Sequence, residues 1–353
     1  MVPPELEFEE YLGKGSYGSV SLFKYSKPLT TPYTAVKTCD YENAESLDNE
    51  FQILSQFKGC SRIVQCYENR VIPNLDGDGN IEYMMLMEYA AGGSLETFMN
   101  RFQDKKLPDP MIREFTRMLL EGLATIHGHG YVHCDLKPEN ILVFPRRVYK
   151  NGAWKSSNEL KISDFGLSKR DGDSDWWEPD RPFLGTPIYM SPESVSHGET
   201  GKGLDLWSLG CVVLKMYTGK SPWSHKNYDD LEDLKKCIEK CYAPLIPNDL
   251  PCDAKNFIMT CFAFEPDERK DALTLLRHSF LRGDVKKITE PPVNVKTENL
   301  REIASKLQIT SILERAEELK IIKEQPRPSL VPVKHCHLAE PSQNFWFFIR
   351  SSL

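Results

Sequence analysis

The chain has 353 residues, 40% of them hydrophobic, and a formal net charge of -7. That is enough apolar material for one large domain or two modest ones, and the longest apolar stretches, such as residues 209–214, are cut by Lys215 well short of the roughly 20 residues a bilayer span needs. Residues 282–353 carry 12 Lys+Arg against 9 Asp+Glu and leave the first 281 residues at -10, which argues against broad binding to a phosphate backbone, so no nucleic acid is expected as ligand. Met1-Val2-Pro3-Pro4-Glu5 has neither the charged nor the apolar region of a signal peptide, so a cytoplasmic and/or nuclear location is expected, with the ten cysteines reduced. Cys237 and Cys241 have no matching pair, and His335-Cys336-His337 reads as a solvated tail, so no structural zinc is expected.

In chain order, residues 12–87 read mostly as short strands. Ser19-Val20-Ser21-Leu22-Phe23 and Thr34-Ala35-Val36-Lys37 carry β-branched and apolar residues between turn signals. One helix interrupts them over residues 43–57, where Leu47, Phe51 and Leu54 recur at helical spacing with Glu50 on or beside the buried face. After Gly92-Gly93 the pattern turns helical. Asp109 is read as the N-cap of a helix with Pro110 in its first turn, and Ile112, Phe115, Leu119, Leu123 and Ile126 define its apolar stripe until Gly128 and Gly130. A second helix over residues 205–218, ended by Gly219, is apolar nearly all round and is expected at the centre of a helical lobe. The reading is α+β and bilobal: a small β-rich N-lobe (1–87) with one helix, a larger helical C-lobe (88–281) including a hinge at residues 88–93, and an extension (282–353) of proline-rich linkers around amphipathic helical pieces.

Gly13-Lys14-Gly15-Ser16-Tyr17-Gly18-Ser19-Val20 is a glycine-rich turn between strands, where missing β-carbons let backbone amides approach phosphate oxygens. A dinucleotide-binding turn would open a helix instead, and strand-like residues follow this one. Two readings stand for Lys37 and Glu50, a buried ammonium on the α- and β-phosphates fixed by its acid or an exposed surface pair, and the downstream motifs decide between them. His133-Cys134-Asp135-Leu136-Lys137-Pro138-Glu139-Asn140 puts a carboxylate, an ammonium and an amide in one short loop. In that loop Asp135 orients and accepts the proton of an attacking hydroxyl, Lys137 neutralises charge on the transferred group, and Asn140 helps hold magnesium. Asp164-Phe165-Gly166 supplies a second metal carboxylate, and magnesium suits such hard oxygen ligands.

These motifs, with Ser191-Pro192-Glu193, follow the order of the eukaryotic protein kinases, which the chain resembles over residues 6–281. The resemblance implies the bilobal kinase fold, ATP and Mg2+ as cofactors, and an Arg269 to Glu193 pair. It places Met87 as gatekeeper, Glu88 to Ala90 as the adenine-binding hinge, Leu12, Val20, Ala35 and Leu142 around the adenine, and Ser94 near the ribose. Lys137 and the segment Gly185-Thr186-Pro187-Ile188-Tyr189-Met190 resemble those of serine/threonine kinases, with Thr186 steadying Asp135 and Lys137. More narrowly, the hinge Glu88-Tyr89-Ala90-Ala91-Gly92-Gly93-Ser94-Leu95 and the Cys134 loop resemble plant MEKK-like mitogen-activated protein kinase kinase kinases. That likeness implies a protein substrate that is itself a kinase kinase. A pseudokinase scaffold and a serine/threonine kinase outside that cascade are the alternatives, the first opposed by the presence of Lys37, Glu50, Asp135, Asn140 and Asp164 together.

Cys134 stands where many kinases have an arginine that clamps a phosphorylated activation segment. Here the segment already carries Asp171, Asp173, Asp175, Glu178 and Asp180, and Ser168 and Ser174 are its only hydroxyls between Gly166 and Gly185. Activity that does not depend strongly on phosphorylation there is expected. Asn74, Asp76, Asp78 and Gly79 mimic a calcium loop, but Met85 stands where its bidentate glutamate belongs, so a hairpin turn is expected. Residues 140–164 are long for this region and polar and basic over 145–158, which reads as an extended surface hairpin. The C-terminal Phe345-Trp346-Phe347-Phe348-Ile349 is apolar enough to imply docking of the tail on the kinase or on a partner.

Overall fold

The computed structural model describes residues 6–282, apart from 16–17, 27–31, 76–78, 151–152, 174–184, 225–230 and 241–242. Ser16, Tyr17, Asp76, Asp78, Cys241, Ser174, Asp175, Glu178 and Asp180, and the tail from residue 283, lie outside the described residues.

An antiparallel sheet in the order β1-β2-β3-β5-β4 forms the first lobe. Its strands are β1 (Leu6–Gly15), β2 (Gly18–Tyr25), β3 (Tyr33–Asp40), β4 (Ile72–Leu75) and β5 (Ile81–Glu88). Helix α1 (Ala44–Ser55) packs against it and buries Leu47, Glu50, Phe51 and Leu54. The apolar three are the stripe expected from the sequence, each burial worth about 1.5–3 kcal/mol. Glu50 shares that buried face, which brings a carboxylate into the interior beside β3. Asn74 donates through Nδ2 to Glu82 Oε1 at 2.6 Å across the antiparallel β4–β5 pair.

The second lobe is built on α3 (Asp109–Gly128) and α5 (Lys202–Thr218), with the short α2 (Leu95–Met99) before α3 and, between α3 and α5, the two-residue strand β6 (Tyr131–Val132), the hairpin strands β7 (Ile141–Lys150) and β8 (Ala153–Ile162), the two-residue strand β9 (Lys169–Arg170) and α4 (Pro192–His197). Helices α6 (Leu231–Glu239), α7 (Cys252–Cys261), α8 (Ala272–Leu275) and α9 (Ser279–Arg282) complete it. Every residue of α5 from Leu204 to Met216 is buried, which explains an apolar pattern without a polar face. Gly219 ends the helix in the left-handed conformation at φ 69°, and an added β-carbon would fall 1.9 Å from the carbonyl oxygen of Asp104, so only glycine fits. Among the described residues no helix is long and apolar enough to cross a membrane.

Two details depart from the sequence reading. Helix α5 begins three residues earlier than expected, at Lys202. Asp109 is the first residue of α3 rather than its N-cap, which is Pro108. Its carboxylate is drawn away by stronger partners: Arg113 Nε donates to Oδ2 at 2.6 Å and Tyr217 Oη donates to Oδ1 at 2.5 Å. A guanidinium one turn along the helix outcompetes the backbone amides for that charge.

Candidate active site

Between the lobes, three charged groups from distant parts of the chain meet. Lys37 Nζ, on β3, donates to Glu50 Oε2 at 2.7 Å and to Asp164 Oδ1 at 2.9 Å. Burial alone would pull the Lys37 ammonium down, but the Glu50 and Asp164 carboxylates outweigh it and hold its pKa above the ordinary lysine value. Burial would likewise raise Asp164, and Lys37 reverses it, so this carboxyl lies below the usual range. Both charges therefore persist through neutral pH. The Asp164 side chain is 42% exposed against 4% for Glu50, so the two carboxylates differ in what they can reach: Glu50 is enclosed with Lys37, and Asp164 is open to the cleft.

The second cluster surrounds Asp135. Its Oδ1 accepts from the Thr186 amide at 2.9 Å and the Thr186 hydroxyl at 2.8 Å. Its Oδ2 accepts from Asn140 Nδ2 at 2.9 Å and lies 2.7 Å from Lys137 Nζ, which itself donates to Thr186 Oγ1 at 2.7 Å. Four donors leave the carboxylate one orientation. Asn140 spends its amide nitrogen on Asp135, also on the main-chain oxygen at 2.9 Å, and so keeps its side-chain oxygen for another partner. Ser163 joins the clusters, its amide and hydroxyl both donating to Asn140 O, at 2.9 and 2.8 Å, one residue before Asp164.

The backbone here is strained and held. Cys134 and Asp164 are non-glycine residues at φ 69° and 63°, a conformation that costs about 1–3 kcal/mol when nothing compensates. Compensation comes from Asp205 of α5, fully buried, whose Oδ2 accepts from the His133 amide at 2.8 Å and whose Oδ1 accepts from the Cys134 amide at 3.0 Å. His127 Nε2 closes the set at 2.9 Å from Asp205 Oδ2. Gly185, at φ 115°, passes so close to the loop that an added β-carbon would lie 2.6 Å from Cys134 O. Phe165 is fully buried with its ring centroid 5.4 Å from Phe57 and 4.9 Å from His133, which locks Asp164 to both lobes.

The glycine-rich turn lies on β1 and β2, with Gly13 opposite Val20, Lys14 opposite Ser19 and Gly15 opposite Gly18. A β-carbon at Gly18 would sit 2.1 Å from Thr38 O, so this glycine is required by the sheet itself. Among the described residues no atom lies within 4 Å of where a β-carbon would stand at Gly13, and only Gly18 O, at 3.9 Å, at Gly15. Protein packing does not demand glycine at those two positions, whereas a phosphate approaching the backbone would. Lys14 is exposed, and Ser19 Oγ is within 3.0 Å of Thr38 Oγ1.

Leu12 is exposed, Val20 and Leu142 are half-buried, and Ala35 is buried on the strand pairing with Met87. Ala90 is buried in the hinge, and its carbonyl accepts from Gly93 N at 3.0 Å. Ser94 caps α2, its hydroxyl accepting from Thr97 N at 3.2 Å, and forms a bridge with Leu142. The Glu88 side chain points away from the cleft, its Oε1 accepting from Gln65 N at 2.9 Å and both oxygens from buried Lys161, at 2.6 and 2.7 Å, so only its backbone can serve a nucleotide. Arg269 forks onto Glu193 at 2.5 and 2.8 Å and spends its remaining donors on the carbonyls of Ala263, Gly203 and Phe264.

A protein-family model described as the protein kinase domain matches residues 6–281. The chain belongs to the protein kinase family. Mitogen-activated protein kinase kinase kinase 20 of Arabidopsis thaliana is 36% identical over 281 residues, which cover 78% of each chain. Mitogen-activated protein kinase kinase kinase 18 of the same plant is 33% identical over 282 residues, covering 76% of this chain and 75% of the relative. Mitogen-activated protein kinase kinase kinase 3, also from Arabidopsis thaliana, is 33% identical over 282 residues, but the matched region is 42% of its length and 78% of this chain. The donor set fits the magnesium nucleotide that protein kinases use: Asn140 and Asp164 offer oxygens, Lys37 a fixed cation, and Gly13 and Gly15 bare backbone.

No motif surrounds Asp205, and sequence reasoning misses its role. A lone carboxylate at the head of an otherwise apolar helix was the available signal, since a buried charge must find partners. The clamp from Lys161 to Glu88 was missed too, because nothing at a spacing of 73 residues marks the pair.

Proposed function

We propose that this protein phosphorylates serine or threonine in a downstream protein kinase, as a mitogen-activated protein kinase kinase kinase of the cytoplasm and nucleus. The observation that carries the reading is the Asp135 carboxylate, fixed by Thr186, Asn140 and Lys137 beside the cluster of Lys37, Glu50 and Asp164. The printed names of the relatives support the place in a cascade.

In this mechanism Gly13, Lys14, Gly15, Ser16, Tyr17, Gly18 and Ser19 cover the phosphates, and Leu12, Val20, Ala35 and Leu142 enclose the adenine. The backbone of Glu88 and Ala90 reads its edge, and Ser94 lies toward the ribose. Lys37, oriented by Glu50, neutralises the non-transferred phosphates. Asn140 and Asp164 hold magnesium, which when bound screens the phosphate charges and fixes their geometry. Asp135 orients the substrate hydroxyl and takes its proton, and Lys137 balances negative charge on the group being transferred. The tail, residues 282–353, serves as a docking segment in this reading, through Phe345-Trp346-Phe347-Phe348-Ile349.

Transfer of labelled γ-phosphate to a catalytically dead kinase kinase, measured beside transfer to a generic basic protein, tests the cascade role. A clear preference for the kinase kinase is expected. Equal transfer to both would leave a serine/threonine kinase without that assignment.

A further inference from the structure

The hairpin of β7 and β8 grows from the proposed catalytic residues, since Asn140 immediately precedes it and Asp164 follows it by two residues. Its base is tied to the hinge, with Gly92 N donating to Val143 O and Val143 N to Gly93 O, both at 2.9 Å. Beyond Pro145 and Asn158 the two strands continue as a two-stranded ribbon, about six residues and roughly 20 Å long.

One face of that ribbon does not end where the body of the protein ends. Cross-strand partners two residues apart share a face, so the fully buried pair Val143 and Leu160 is followed outward by Arg147 opposite Ser156 and by Tyr149 opposite Trp154. Tyr149 and Trp154 are 65% and 68% exposed, with ring centroids 5.5 Å apart in an edge-to-face arrangement. Arg147 and Ser156 are exposed beside them. Large aromatic rings and arginine are the residues most enriched where protein surfaces bind strongly. Residues 145–158 also carry Arg146, Arg147, Lys150 and Lys155 and no acid, on a body that is otherwise strongly negative. Arg146 has its charge met at the base, by Glu159 at 2.8 Å.

The geometry points to this ribbon as a docking arm for an acidic, extended segment of the protein substrate. Carboxylates of that segment meet Arg147, and its apolar atoms cover the rings of Tyr149 and Trp154. The remaining surface of the kinase, being acidic, repels the same segment and confines it to the arm. Calling the partner a substrate rests on the kinase reading above; the binding surface itself does not.

The test uses the full chain and a fluorescein-labelled peptide of glutamates interspersed with leucine, beside its glutamine counterpart. Anisotropy is expected to show salt-sensitive binding of the glutamate peptide alone, weakened about tenfold or more both in the Arg147→Ser, Tyr149→Ser, Trp154→Ser variant and in Arg147→Glu by itself. Fusing the glutamate segment to a generic protein substrate should lower KM for the wild type and not for the variants. Their kcat and their KM for ATP and for the unfused substrate stay unchanged. Equal affinity for the two peptides, or equal binding by wild type and variants, overturns the docking arm. So does finding that phosphatidylserine vesicles, duplex DNA or a second copy of the chain engage the ribbon while the peptide does not. Binding without the KM effect overturns the assignment to a substrate. Because anisotropy requires no catalysis, an inactive protein that still binds the peptide would count against the kinase reading and not against the surface.

Discussion

Asp205 carries more of the site than any residue that touches the reaction. One buried carboxylate accepts the amides of His133 and Cys134 and meets His127, so it holds the loop of Asp135 in a conformation that Cys134 would not choose alone. Asp205→Asn keeps the shape but turns an NH2 group toward backbone donors, which leaves buried groups unsatisfied at about 1–3 kcal/mol each. Urea unfolding should show a loss of about 2–4 kcal/mol, and kcat should fall more than KM for ATP. Unchanged stability and kcat would remove Asp205 as a positioning residue. Cys134 is itself instructive. Its thiol is buried beside Val132 and Leu204, and burial holds its pKa well above the ordinary value, so it remains a neutral packing group rather than an anion receptor.

At the scale of elements, that thiol bears on the activation segment. Ser168 is buried and donates its hydroxyl to His133 O at 3.2 Å, so it is engaged with the catalytic loop. Alanine at Ser168 and Ser174 together is expected to leave turnover of purified protein within about tenfold, since a neutral hydrogen bond contributes about 1 kcal/mol. A larger loss in steady-state transfer would overturn the expectation that these two hydroxyls are dispensable. The elements themselves were largely legible: α1 and α3 showed a helical apolar stripe, α5 an apolar run closed by glycine, and the β7–β8 hairpin a stretch too long for a turn. Asp109 misled because a cap is a local contest. Its carboxylate faced Arg113 one turn on and Tyr217 more than a hundred residues away, and only the first is visible in sequence. The motif residues around Asp135 were legible because their spacing is local. The partnerships of Asp205 and Lys161 were not, because they arise only when α5 and β8 pack behind the loop and the hinge.

At the scale of the whole molecule, the site is a junction of two lobes that share one buried core, from Leu47, Phe51 and Phe57 to Leu136, Ile162 and Phe165. Lys37 and Glu50 come from the sheet and its helix, Asp135 and Asn140 from the helical lobe, with Asp164 and Ser163 linking them. The tail lies outside this junction in sequence. Deleting residues 325–353 is expected to lower solubility, stability or activity if the apolar end docks, and a truncated protein equal to wild type in all three would rule docking out. The central claim is phosphoryl transfer with Asp135 as the group that orients and deprotonates the hydroxyl. Transfer of labelled γ-phosphate from Mg-ATP by wild type and by Asp135→Asn tests it most directly. Asparagine accepts no proton and loses the pairing with Lys137, so transfer should fall by about 100-fold or more while the nucleotide still binds. Transfer by the variant equal to that of wild type, or no transfer by a folded wild type that binds nucleotide, would contradict the account.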